Sequence, residues 1–248
     1  MIFKTNGIVI QAIDYGETHR ILTVLSEHGV KIPLMARGAK KVPSKFTAVA
    51  QPFVQAEFVY ARSQGMGMLQ HADLTNSFST LKSDLIATSV AAWSTEMTSR
   101  LMGEEMAGNG LYRAILALWE QLNARKDPLV LCAVYESKML ALAGYQPELG
   151  RCSKCRANEG LTHMSAAEGG VICSKCVRIG AAMPVSPRTL HWLTMFAQLD
   201  LSQLGEITLK PETIADIRKI IRWWWQEHIG GEWKTRNVLD QLTDGSFI

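Results

Sequence analysis

With 248 residues, 47% of them apolar, the chain has material for one large or two modest cores. No run approaches the length of a membrane span. The start, MIFKTNGIVIQAIDYGE, lacks the basic segment, apolar stretch and small-residue site of a secretion signal. These features point to a cytoplasmic protein, away from membranes and from oxidising compartments, and a net charge of +3 decides little until its distribution is read.

The first 75 or so residues read as short strands separated by turns. Gly7 to Ala12, Arg20 to Leu25, Val30 to Ala36, Val54 to Tyr60 and Met66 to Leu74 are β-branched or alternating runs. Glu27-His28-Gly29 and Ser63-Gln64-Gly65 are turn signals between them. Five strands in that length suit an OB-fold, a small barrel whose loops and one face bind oligonucleotides.

Between the third and fourth strands lies a basic loop, Arg37-Gly38-Ala39-Lys40-Lys41-Val42-Pro43-Ser44-Lys45. From Lys31 to Lys45 the cations Lys31, Arg37, Lys40, Lys41 and Lys45 occur with no acid among them. Such a stretch reads as a phosphate footprint or as a solvated loop. Phosphate contacts of this kind give affinity without choice of sequence. Phe46, Phe53, Phe58 and Tyr60 flank it, and an exposed ring there would stack on a base. Core packing is the alternative for each ring, and alternation puts Val54, Ala56, Phe58 and Tyr60 on one face.

From Thr80 the periodicity turns helical: Leu81, Leu85, Trp93, Met97 and Leu101 recur at multiples of four as one apolar stripe. Gly108-Asn109-Gly110 breaks it before a second helix, Leu111 to Arg125. Asp127-Pro128 caps and opens a third, which Gly144 ends. Ser186-Pro187 repeats the signal for a fourth through Leu199, and Pro211 opens a fifth carrying Ile214, Ile217, Ile221, Trp224 and Trp225 inward. Three consecutive tryptophans, Trp223 to Trp225, point some 100° apart, so one of them is left for the surface or for packing between domains. The expectation is an α+β multidomain chain: an OB-fold barrel over residues 1–78, then an all-α domain over 79–248 with a module inserted at about 150–180.

That module carries Cys152, Cys155, Cys173 and Cys176, spaced C-x2-C-x17-C-x2-C. The spacing is that of a zinc site, each pair holding two sulfurs on one turn. Two disulfides are the alternative, and a reducing compartment argues against them. Gly169-Gly170 supplies positive-φ positions for a hairpin between the pairs. Four thiolates leave no position for water, so Zn2+ here is structural, and His163 between the pairs is not a ligand. Arg151, Lys154, Arg156, Lys175 and Arg178 surround the ligands and make the module either a second nucleic-acid contact or simply a substitute for a core. The fifth cysteine, Cys132, reads as an inert buried residue.

Catalytic patterns are absent: no Walker loop, no G-x-G-x-x-G after a strand, no H-E-x-x-H and no G-x-S-x-G elbow. The reading is not an enzyme. A zinc-ribbon accessory factor of transcription or RNA processing is the alternative. A metal-dependent nuclease would need clustered carboxylates or a ligand-poor metal site, and neither is visible.

GIVIQAIDYGETHRILTVLSEHGVKIPLMARGAKK, from Gly7 to Lys41, resembles the RecO family of bacterial recombination mediators. Asp14-Tyr15-Gly16-Glu17, His28-Gly29 and Ala36-Arg37-Gly38 carry the likeness. It continues through Gln51-Pro52-Phe53, LALAGYQPELGRCSKC, Gly169-Gly170 and WQEHIGGEWKTRNVL. Some family members lack the cysteines, and this chain has all four, which implies a metal-bearing form. The resemblance implies an OB-fold, a helical domain and a zinc module, binding of single- and double-stranded DNA, and annealing of complementary strands. It also implies partnership with RecR, contact with the C-terminal tail of single-strand-binding protein, and help in loading RecA onto DNA, at the nucleoid.

Overall fold

The computed structural model describes residues 1–101, 109–178 and 182–243. Gly108 of the expected glycine break lies outside them. Packing divides the chain into two compact units, one of Met1–Arg125 and one beginning at Lys126.

In the first unit β1 (Ile2–Tyr15), β2 (His19–Ser26), β3 (Lys31–Ala36), β4 (Gln55–Ala61) and β5 (Gly67–Asn76) close a barrel in the order β1-β2-β3-β5-β4. β1 is much longer than the expected Gly7–Ala12 because it serves two partners. Its first half pairs with β4 and its second half with β2, with a bulge between Val9 and Gln11. Gly7 lies where both pairings meet, opposite Ser26 and Ala56. A Cβ there would stand 2.5 Å from Val24 and 2.9 Å from the Leu25 carbonyl, so the crossing needs glycine.

Alternation fills the barrel with Val9, Leu22, Val24, Leu34, Ala56, Phe58 and Leu69. Phe46, Val49 and Ala50, from the connection between β3 and β4, join the same core.

The helices of this unit are α1 (Ser79–Lys82), α2 (Leu85–Leu101) and α3 (Asn109–Asn123). The expected single stripe is interrupted at Ser83-Asp84. Asp84 accepts the Ala87 amide at 2.9 Å and starts α2 afresh, so Leu85 falls outside the stripe and is exposed while Leu81, Trp93 and Met97 are buried. The Asn123 side chain accepts the Thr80 and Leu81 amides at 3.1 and 3.2 Å and ties α1 to α3. Phe53 and Phe78 meet Trp119 edge-on.

In the second unit α4 (Pro128–Leu142) is buried on nearly every side. Asp127 caps it through the Leu129 and Val130 amides, and Gly144 (φ 80°) ends it. A sheet of order β7-β6-β8 follows: β6 (Leu161–Ser165), β7 (Gly170–Cys173) and β8 (Met183–Pro184). Then come α5 (Pro187–Gln198), capped by Ser186, α6 (Pro211–His228) and α7 (Lys234–Thr243).

Trp224 and Trp225 are buried and Trp223 is half-buried, which settles the triple tryptophan within this unit. The Trp224 indole N–H donates to the Tyr145 carbonyl at 2.8 Å. Among the described residues no helix is long and apolar enough to cross a membrane.

Candidate metal centre and nucleic-acid interface

β6 and β7 form a hairpin whose flanks bring the two cysteine pairs together. The turn after Cys152 closes with the Arg156 amide on the Cys152 carbonyl, and the turn after Cys173 with the Cys176 amide on the Cys173 carbonyl, both at 2.9 Å. The four sulfurs lie within 4.8 Å of one another, and Cys155 Sγ is 3.7 Å from Cys173 Sγ. A tetrahedron with metal–sulfur bonds of about 2.3 Å has an edge of about 3.8 Å, so four thiolates in this arrangement fit one ion of that geometry. His163 is not in the cluster, and its Nδ1 faces the Thr162 hydroxyl at 2.9 Å.

Four thiols this close conflict. Burial raises the Cys152 pKa, but the backbone amides of Cys155, Cys173 and Lys154 outweigh it and bring the value down to about 6. Cys176 is pushed up to about 12, first by the hydrogen bond with Cys155 and then by burial. A divalent cation bound here would resolve the conflict by deprotonating its ligands.

Gly170 sits where β7 passes the Glu148 backbone, and a Cβ there would lie 2.3 Å from the Glu148 carbonyl oxygen. The Val171 amide donates to that carbonyl at 2.8 Å, so the approach is part of the module's frame. Gly170→Ala is expected to cost about 1–3 kcal/mol in urea unfolding, because the backbone must part. Glu148 also pairs with Arg151 at 3.2 Å and Arg156 at 3.8 Å, and Glu168 with Lys154 at 3.7 Å. Three of the five cations around the cysteines are thus compensated, while Lys175 and Arg178 are left at the surface.

The structure separates the five cations of the basic stretch. Arg37 and Lys41 are exposed and form no ion pair among the described residues. The Lys40 ammonium meets Asp14 at 2.8 Å, and Arg20 reaches the same carboxylate at 2.9 Å. The Lys40 and Arg20 hydrogen bonds, in that order, hold the Asp14 carboxyl below its usual range.

Lys45 donates to the Gln70 carbonyl at 2.9 Å and lies 4.9 Å over the Phe46 ring. Lys31 turns away from the loop and donates to the Ser99 carbonyl at 2.6 Å, where partial burial lowers its pKa. The loop is pinned to the tip of the β1–β2 hairpin. The Lys40 amide donates to the Thr18 carbonyl and the Gly38 amide to His19 Nδ1, both at 3.0 Å.

Three of the four rings flanking the loop are core residues and the fourth, Phe53, is half-buried. Phe46, Phe58 and Tyr60 are buried, and Phe53 packs on Trp119.

Residues 1–78 match the family model described as Recombination protein O N terminal, and residues 82–237 the one described as Recombination protein O C terminal. The chain belongs to the RecO family. Its relatives include the DNA repair protein RecO of Bacillus velezensis and that of Bacillus subtilis. Each is 38% identical over 244 residues, covering 98% of this chain and 95% of the relative. The DNA repair protein RecO of Halalkalibacterium halodurans is 35% identical over 248 residues, covering 100% and 98%. The two family matches meet where strands give way to helices, whereas the barrel's compact unit runs on through α3.

Asp14, the acid that organises the loop's root, was legible only inside the family-like run Asp14-Tyr15-Gly16-Glu17. Its partners lie 6 and 26 residues away, beyond local patterning.

Proposed function

We propose that the chain is a non-catalytic mediator of recombinational DNA repair. Its barrel holds the backbone of single- and double-stranded DNA and leaves bases free to pair, which permits annealing. Family membership supports repair over an accessory role in transcription or RNA processing. The observation that carries DNA binding is the pair Arg37 and Lys41, unpaired cations on a loop fastened to the barrel corner. Lys40, Lys45 and Lys31 are secondary contacts, since each ammonium must first leave a partner.

In this reading the four cysteines hold Zn2+ as a structural ion. The second unit meets protein partners: RecR, and the acidic, hydrophobic tail of single-strand-binding protein, so that RecA is loaded indirectly. The protein works in the cytoplasm, at the nucleoid.

Arg37→Ala with Lys41→Ala is expected to weaken binding to every DNA sequence alike. It should flatten the logarithmic salt slope for single strands by about 1.4, two contacts at about 0.7 each. The check is anisotropy of a labelled oligonucleotide from low to moderate salt. A slope equal to that of the unsubstituted protein would remove the loop from the interface.

A further inference from the structure

We propose that Tyr15 is the base-stacking platform of the barrel, a role that rests on the DNA-binding reading above. The barrel's other rings beside the basic loop are occupied: Phe46, Phe58 and Tyr60 in the core, Phe53 against Trp119. Tyr15 is 54% exposed, at the end of β1 where the hairpin turns through Gly16, Glu17 and Thr18.

Register places it at the edge of an apolar outer face. Tyr15 stands opposite His19, and two residues back Ile13 stands opposite Ile21, which pairs with Met35, which pairs with Met68. Ile13 is half exposed, and Ile21, Met35 and Met68 are each partly exposed, so this row faces outward while Leu22 and Leu34 face the core.

The occupant is single-stranded nucleic acid, because the hairpin tip on which Tyr15 ends is tied to the loop that carries the exposed cations Arg37 and Lys41, a charge that suits a polyanion. The turn that follows Tyr15 is bonded to the loop bearing Arg37 and Lys41 through the Lys40 amide and His19. Asp14, one residue away, points to the opposite side of the strand and is neutralised there by Lys40 and Arg20. Glu17 at the tip is the opposing charge on this corner. A strand whose phosphates follow Arg37 and Lys41 lays its bases along the outer face, and the exposed phenol takes one of them without any core ring having to move. A duplex offers no free base face, so its binding depends on the cations alone.

The test compares Tyr15→Ala and Tyr15→Phe in the full chain, on a labelled single strand and on a duplex of the same sequence, with melting followed in parallel. Tyr15→Ala should weaken single-strand binding roughly 5- to 150-fold, with the salt slope, duplex affinity and melting temperature unchanged. Tyr15→Phe should bind like the unsubstituted protein. Unchanged single-strand affinity in Tyr15→Ala overturns the proposal, as does an equal loss on single strand and duplex, which would mark Tyr15 as a support of the loop. Loss of a protein partner with DNA binding intact would also overturn it and assign the face to that partner. If the unsubstituted protein binds neither DNA, the DNA-binding reading itself has failed, a result distinct from a failure confined to Tyr15.

Discussion

Replacing Cys173 with serine, or withdrawing metal with a chelator, is expected to unfold the segment around the β6–β7 hairpin. The hairpin's own core is small: Cys152, Ile172 and Cys173 are its buried cluster, with Leu161, Val177 and Ala182 packed against them in part. A fully buried apolar side chain contributes about 1.5–3 kcal/mol. Ordering the backbone costs about 1–2 kcal/mol per residue. The run from Cys152 to Cys176 also buries Met164 and Val171, and these few side chains offset only part of the cost of ordering it. In the proposed reading metal coordination supplies the rest, since structural zinc sites contribute on the order of 10 kcal/mol of apparent free energy.

A melting scan should show the second unit's transition shifted down by chelator and restored by added zinc. Limited proteolysis should open the segment between Arg156 and Gly169 at the same time. A scan that does not move with chelator would contradict the structural role of the site.

Glu136→Ala should produce the largest loss of any single change outside the cysteines. Glu136 is completely buried on α4 and its carboxylate is bonded to Arg236 of α7, itself 6% exposed. Arg236 also reaches Asp240 at 3.1 Å, and Asp240 receives Arg218 at 3.3 Å and Arg222 at 2.6 Å from α6. The network fastens α7 to the centre of the unit, since α7 buries little else besides Leu239.

Removing Glu136 leaves three guanidiniums, Arg218, Arg222 and Arg236, around the single carboxylate of Asp240, and breaking a buried pair in this way costs up to about 3–5 kcal/mol. Melting of the second unit should fall by roughly 10–20 °C. Joint replacement by apolar residues, Glu136→Leu with Arg236→Met, should recover most of the loss, because neither charge then has to be desolvated. A Glu136→Ala loss below about 1 kcal/mol would show that the carboxylate is not held by α7. Cys132, one turn before Glu136 on the same helix, stays a protonated, unreactive thiol, since burial pushes its pKa up.

Local chemistry was legible in the sequence. Asp127-Pro128 and Ser186-Pro187 open helices where a capping side chain followed by proline predicts. The cysteine spacing predicts a four-sulfur cluster and the structure forms one. Alternation identified Phe58 and Tyr60 as core rings.

Features that depend on distant partners were not legible. Nothing in KTRNVLDQLT announces a docked helix, because what holds it is Glu136, a hundred residues earlier. Lys31 reads like its neighbours, yet its ammonium is claimed by Ser99. Leu85 fits the apolar stripe by count, but Asp84 restarts the helix and changes its phase. Among the described residues, two of the five cations from Lys31 to Lys45, Arg37 and Lys41, have neither an ion pair nor a carbonyl to bind. Only the fold distinguishes them from the other three.

The most direct test of the account is binding of the unsubstituted protein to a fluorescent single-stranded oligonucleotide across a salt series, with annealing of a complementary pair followed under the same conditions. The account predicts affinity that falls steeply and linearly in the logarithm of salt, and annealing faster than that of the free strands. Salt-independent or absent binding, with annealing no faster than in buffer, would contradict it and leave the basic loop as a solvated surface.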